Sequence, residues 1–188
     1  RDYTAIVPRT VLQVNLMCGA GGFMSESGLS IPKGEDCPPV YMHSSTVNAD
    51  CEIWRETVWM RKNHCRVDID VNADEGYRPW LKIVSDVCGY DVCGKPVEGD
   101  FESRKRVDEE YSCSFTLPRQ TDDLMTLEID EGDGILKRFS LGEYIASTGY
   151  DWNTPDLQDI QIELDFAVTQ IVLKVSGWDG EHKFDIVI

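Results

Sequence analysis

The residues with chemistry to offer are seven cysteines, three histidines and a large excess of carboxylates. Zinc sites draw ligands from closely spaced pairs. No Cys-x-x-Cys pair occurs, and His43, His64 and His182 are scattered, so no metal centre is expected. A serine nucleophile needs an elbow turn and a histidine–acid pair; Ser27-Gly28-Leu29-Ser30 lacks the pattern. His64 and Cys65 are adjacent, and neighbours on a strand point to opposite faces, so they are poorly placed to act as a couple. Carboxylates are too numerous here for any pair to point to glycosidase chemistry. Gly19-Ala20-Gly21-Gly22 is followed by no Gly-Lys-Ser/Thr and no helix pattern, so it is not a phosphate loop. No catalytic residue and no cofactor site is expected.

The cysteines instead suggest an oxidising compartment. Cys88 and Cys93 flank Gly89-Tyr90-Asp91-Val92, which reads as a turn between paired strands, and they form the best local disulfide candidate. Cys18, Cys37, Cys51, Cys65 and Cys113 can pair in several ways, and an odd total leaves at least one thiol without an intrachain partner. Any of them can equally serve as a small buried hydrophobe. Tryptophans 54, 59, 80, 152 and 178 could build a sugar platform, although in a β protein such residues more often fill or edge the core.

Charge narrows the partners. A formal net charge of −16 over 188 residues repels phosphate backbones, so nucleic acid is excluded as a partner. The one basic run, Arg104-Lys105-Arg106, is followed by Asp108-Glu109-Glu110 and reads as a mixed-charge loop. No apolar run approaches the roughly 20 residues of a membrane-spanning helix. The start at Arg1, without methionine, is expected to mark a fragment or processed product.

Alternation dominates the elements that would position these residues. Val11, Leu12, Val14 and Leu16 form an early strand; residues 25–39 read as loop. Val58 and Met60 lead to a turn at Lys62-Asn63. Cys65, Val67, Ile69 and Val71 then face one way and Arg66, Asp68 and Asp70 the other, the mark of a half-buried strand. Further strands are expected from Trp80 to Val87, over residues 112–117 and around Met125, Leu127 and Ile129. A hairpin turn at 130–134 leads to a returning strand at Ile135, Leu136 and Phe139. Residues 94–110, polar and charged, read as a long loop. A short helix is expected over Leu141–Ser147, capped by Ser140 with Glu143 and stopped by Gly149. Ile160, Ile162, Leu164 and Phe166, then Ile171, Leu173 and Val175, then Phe184, Ile186 and Ile188 complete a set of strands suited to an all-β sandwich. Phe184, Ile186 and Ile188 form a candidate edge strand for pairing with another chain.

The C-terminal third carries a resemblance. Phe139-Ser140-Leu141-Gly142-Glu143-Tyr144-Ile145, Thr148-Gly149-Tyr150-Asp151-Trp152, Asp156-Leu157-Gln158-Asp159-Ile160 and the closing Phe184-Asp185-Ile186-Val187-Ile188 resemble the fimbrillin-associated anchor family of Bacteroides-type bacteria. Cys37-Pro38-Pro39-Val40-Tyr41-Met42-His43-Ser44, Val58-Trp59-Met60-Arg61-Lys62-Asn63-His64-Cys65 and Leu117-Pro118-Arg119-Gln120 are similar to the same family, so the likeness covers roughly residues 36–188. It implies a transthyretin-like antiparallel β-sandwich with one short helix. It also implies a non-enzymatic fimbrial anchor or accessory subunit whose partners are fimbrillin-like pilus subunits. The location implied is the outer membrane, through a lipid anchor on a cysteine that this sequence lacks. Residues 1–45 are then expected to be the remnant of an N-terminal β domain plus linker, and 46–188 a C-terminal β-sandwich domain. The alternative is a secreted carbohydrate- or protein-binding module on the same sandwich.

Overall fold

The structure, a computed structural model, describes residues 3–130, 136–166, 170–175 and 181–185, with backbone alone at 136, 170–175 and 181–185. The strands in chain order are β1 (Val11–Cys18), β2 (Met24–Ser25), β3 (Gly28–Ser30), β4 (Tyr41–Asn48), β5 (Arg61–Lys62), β6 (His64–Asn72), β7 (Trp80–Asp91), β8 (Pro96–Arg106), β9 (Ser112–Pro118), β10 (Thr126–Asp130) and β11 (Leu136–Phe139). Helix α1 (Leu141–Ser147) follows, then β12 (Ile160–Asp165), β13 (Gln170–Val175) and β14 (Glu181–Asp185). The chain is all-β apart from this one short helix.

Two large sheets enclose the core. One is built on the long strand β7: β8 runs along one of its edges, while β10 and then β3 pair in succession along the other, extended by β11 and β2. The second has the order β14-β13-β12-β6-β9. Its ladders are antiparallel except β12 with β6, which pairs parallel from Ile160↔Val67 to Asp165↔Asn72. A third, small sheet pairs β1 with β4 along eight residues and ends on β5.

The apolar rows read from the sequence point inward. Cys65, Val67, Ile69 and Val71 of β6, Phe115 and Leu117 of β9, and Ile160, Ile162 and Leu164 of β12 are buried. Facing them in the same cluster are Leu81 and Ile83 of β7, Phe101 of β8 and Leu127 and Ile129 of β10. Each such side chain contributes roughly 1.5–3 kcal/mol through burial. Glu128 is the charged exception in this row of strands. It lies in register between Lys82 of β7 and Arg138 of β11, with ion-pair distances of 2.5 and 2.7 Å.

Several expectations are corrected. Residues 94–110 are mostly strand: β8 buries Phe101 and Ser103 and exposes its charges, as edge strands do to avoid unwanted pairing. Arg104-Lys105-Arg106 is therefore the end of a strand. Arg104 pairs with Asp130 at 2.9 Å and stacks over Trp80; Lys105 pairs with Asp36 at 2.5 Å. Helix α1 has the expected bounds and stops where Gly149 adopts φ 79, but Ser140 makes no side-chain cap hydrogen bond. Of the expected strand at Val58 and Met60, only the two residues of β5 beyond it are paired. The turn at 130–134 lies almost wholly outside the described residues. The division between residues 45 and 46 stands as a proposal; β4 spans it, and Leu29, Ile31, Cys37, Val40 and Met42 belong to the main core cluster.

Candidate binding cleft

Arg119 organises one end of the sandwich. It follows the last residue of β9 and is 9% exposed. Its Nε donates to Asn63 Oδ1 at 2.9 Å, and Nη2 donates to the Lys62 carbonyl at 2.9 Å. Nη1 donates to the Trp152 carbonyl and, at 2.8 Å, to the Thr154 carbonyl. Its backbone amide donates to the buried Tyr90 hydroxyl at 2.6 Å, and that hydroxyl donates to the Asn63 carbonyl. One planar fork thus ties β9 to the β5–β6 junction and to the loop after α1. Burial lowers its pKa from the usual guanidinium value, and nearby Arg61 adds to the effect; with so high a starting point the group stays charged at neutral pH. None of its hydrogen-bond partners is a carboxylate.

Outward from Arg119 opens a cleft of about 450 Å³. Its walls are Met42 and His43 of β4, Trp59 from the strap leading into β5, Arg61 of β5, the β7–β8 turn from Cys93 to Pro96, and Asn153. His43 Nδ1 lies 3.1 Å from the Trp59 carbonyl, which fastens the strap against β4. The β7–β8 turn is closed by Asp91, whose Oδ1 accepts from the amides of Cys93 and Lys95 at 2.8 and 2.9 Å. Gly94 holds φ 82 there, a conformation that favours glycine, and a Cβ at that position would meet the Met42 side chain at 3.4 Å.

The structure separates the candidates picked out from the sequence. Cys88 and Cys93 are free thiols. Cys88 lies within β7, which runs on through Asp91, and Cys93 lies in the turn that follows. The turn starts three residues later than the sequence suggested, and Cys93 lines the cleft instead. Cys65 is buried, with its Sγ 3.1 Å from the Gln158 carbonyl and 3.5 Å from the Tyr150 hydroxyl; burial pushes its pKa up to about 12. Cys113 is likewise pushed up to about 12 by burial, and Cys37 is raised by burial and by Asp36 beside it. These thiols behave as apolar fillers rather than nucleophiles. His64 turns away from Cys65, with its Nδ1 3.1 Å from the Val40 carbonyl.

Among the tryptophans, Trp59 is 84% exposed, while Trp152 packs edge-on against buried Tyr150. Trp178 lies outside the described residues. Phe184 belongs to β14, the end strand of its sheet, opposite Ile171 of β13; Ile186 and Ile188 lie outside the described residues. Arg119 as a hub and the cleft as a whole were not read from the sequence. Their only trace there is the motif Leu117-Pro118-Arg119-Gln120, where a lone arginine follows an apolar strand.

No family model matches the sequence, and neither does any curated protein. Solved structures do match. A candidate polysaccharide-binding protein of Bacteroides thetaiotaomicron aligns with a TM-score of 0.68 at 14% identity, over 96% of this chain and 78% of that one. A candidate adhesin of the same species aligns at 0.61 and 12% identity, over 98% and 80%. The fimbrial anchor protein Mfa2 of Porphyromonas gingivalis aligns at 0.51 and 16% identity, over 84% and 68%. The chain has the β-sandwich fold of these fimbrial and adhesin-like proteins. At such identities the likeness is one of architecture, and it agrees with the sandwich implied by the sequence resemblance.

Proposed function

We propose that the protein is a non-enzymatic fimbrial anchor or accessory subunit, which tethers or terminates a cell-surface fibre by strand and apolar contacts with fimbrillin-like pilus subunits. The observation that supports this most is an architecture shared across most of the chain with a fimbrial anchor and with an adhesin-like protein. Open strand edges supply the means. β14 ends its sheet with β13 as its described partner, and among the described residues β1 offers eight residues paired with β4 on one side only. Main-chain groups along such an edge are ready to pair with an incoming strand. Attachment at the outer membrane through a lipid on an upstream cysteine fits this role. The test is a pull-down with the purified chain against surface proteins of its source organism, identified by mass spectrometry. Recovery of a fimbrillin-like subunit is expected; its absence under conditions where the chain remains folded would refute the reading.

A second reading, a surface carbohydrate-binding module, is favoured by one feature: an exposed tryptophan, Trp59, among the residues lining a polar cleft. The likeness to the candidate polysaccharide-binding protein fits it.

A further inference from the structure

The cleft opposes the charge of the rest of the chain. Acidic side chains outnumber basic ones by 34 to 18, yet the cleft is lined by Arg61, Lys95 and Arg119 and by no carboxylate. Asp91 and Asp151, each two positions from a lining residue, are occupied elsewhere. Asp91 closes the β7–β8 turn, and Asp151 Oδ1 accepts from the amide and side chain of Asn153 at 2.8 and 3.0 Å. Among the described residues neither Arg61 nor Lys95 has an ion-pair partner; Arg61 donates to the Asn153 carbonyl at 3.3 Å. Arg119 uses four of its five N–H groups on neutral acceptors, leaving one donor over. Three cations around one recess with no counter-charge create a local positive potential on a polyanion.

Trp59, 84% exposed, is among the residues lining the same cleft. An exposed aromatic face next to polar donors suits a sugar ring, whose apolar side stacks while its hydroxyls find partners such as His43 and Asn153. A peptide fits less well. β7 is paired with β8 and β3, and β4 with β1 and, at Tyr41 and Met42, with β5, beyond which the strap carrying Trp59 is fastened to His43, so the cleft walls leave little open ladder for an added strand. We propose that this cleft binds an acidic saccharide of the uronic-acid type, with a ring on Trp59 and a carboxylate held by Arg61 and Lys95. This deepens the carbohydrate reading and is independent of the fibre reading.

The test is titration calorimetry with tetragalacturonate, its neutral galactose counterpart and an acidic tetrapeptide, at low and high salt. The proteins are the wild type, Trp59→Ala and the double variant Arg61→Gln/Lys95→Gln. Trp59 and Lys95 carry no core contacts and Arg61 gives up one exposed bond to the Asn153 carbonyl, so melting temperatures should change little. Tetragalacturonate should bind best, with affinity falling at least about tenfold in each variant, a difference of about 1.4 kcal/mol, and falling with salt. Equal binding of the neutral sugar would overturn the acidic specificity while leaving the carbohydrate reading intact. Binding of the peptide alone would overturn the saccharide class. Sugar binding that survives both variants would overturn the site. No binding of either sugar would overturn this inference and the carbohydrate reading together.

Discussion

Replacing Arg119 by methionine keeps the bulk of its stem and removes the guanidinium. Four acceptors then lose a donor: Asn63 Oδ1 and the carbonyls of Lys62, Trp152 and Thr154. A buried acceptor left unsatisfied costs about 1–3 kcal/mol. Arg119 borders the cleft, so water can reach some of them, and counting half of the four at full cost gives about 4 kcal/mol. Removing a desolvated cation offsets little, because its partners remain polar and buried. In urea, with a slope of about 2.5 kcal/mol per molar for a chain this long, the midpoint should fall by about 1.6 M. The melting temperature should fall by roughly 8–16 °C. Arg119→Lys should recover only a fraction, because an ammonium cannot reproduce the planar fork. Amide exchange should speed up most in the loop after α1, where Trp152 and Thr154 are tied down. A loss under about 1 kcal/mol, or full recovery by lysine, would show that the fork does not hold this end of the sandwich together.

Two further perturbations probe the sheets. In Gly89→Ala the new Cβ would sit 2.1 Å from the Leu29 carbonyl oxygen, so β3 must move off β7; urea unfolding should show a loss of about 2–3 kcal/mol. For Glu128, burial opposes ionisation, but hydrogen bonds and charge from Lys82 and Arg138 outweigh it and hold the carboxyl below its usual value. A carboxyl depressed on folding stabilises above its unfolded pKa, about 4.3, and this contribution fades as pH falls through the lower folded value. Stability measured from pH 7 to acid should therefore decline less steeply in Glu128→Gln than in the wild type.

Wherever one face of a strand is buried, the sequence was legible. Cys65, Val67, Ile69 and Val71 announced β6 because period two is the geometry of a pleated strand with a wet side. β8 was not announced: an edge strand carries its charges outward on purpose, and Phe101 with Ser103 made too faint an inward row. Strand direction was equally silent. The alternation of Ile160, Ile162 and Leu164 is the same whether β12 meets β6 parallel or antiparallel, and only the course of the chain between them decides. The cleft was hidden for a related reason. Met42, Trp59, Lys95, Arg119 and Asn153 are far apart in sequence, and no local pattern records that the Arg119 fork will gather their segments.

The parallel ladder between β6 and β12 bears on the order in which the molecule can be made. These strands are adjacent in space yet separated in the chain by everything from β7 to α1. β6 can pair with β9 early in synthesis, but its other edge, with Val67, Ile69 and Val71 facing the core, waits for residues 160–165. Closing so long a loop is entropically slow, and contacts this distant in sequence go with slow folding. Until β12 emerges, β6 presents an open flank able to accept a strand from another molecule. On its outer face Asp68 is paired with Arg66 at 2.8 Å and Asp70 adds a net negative charge, which discourages self-association of the waiting strand.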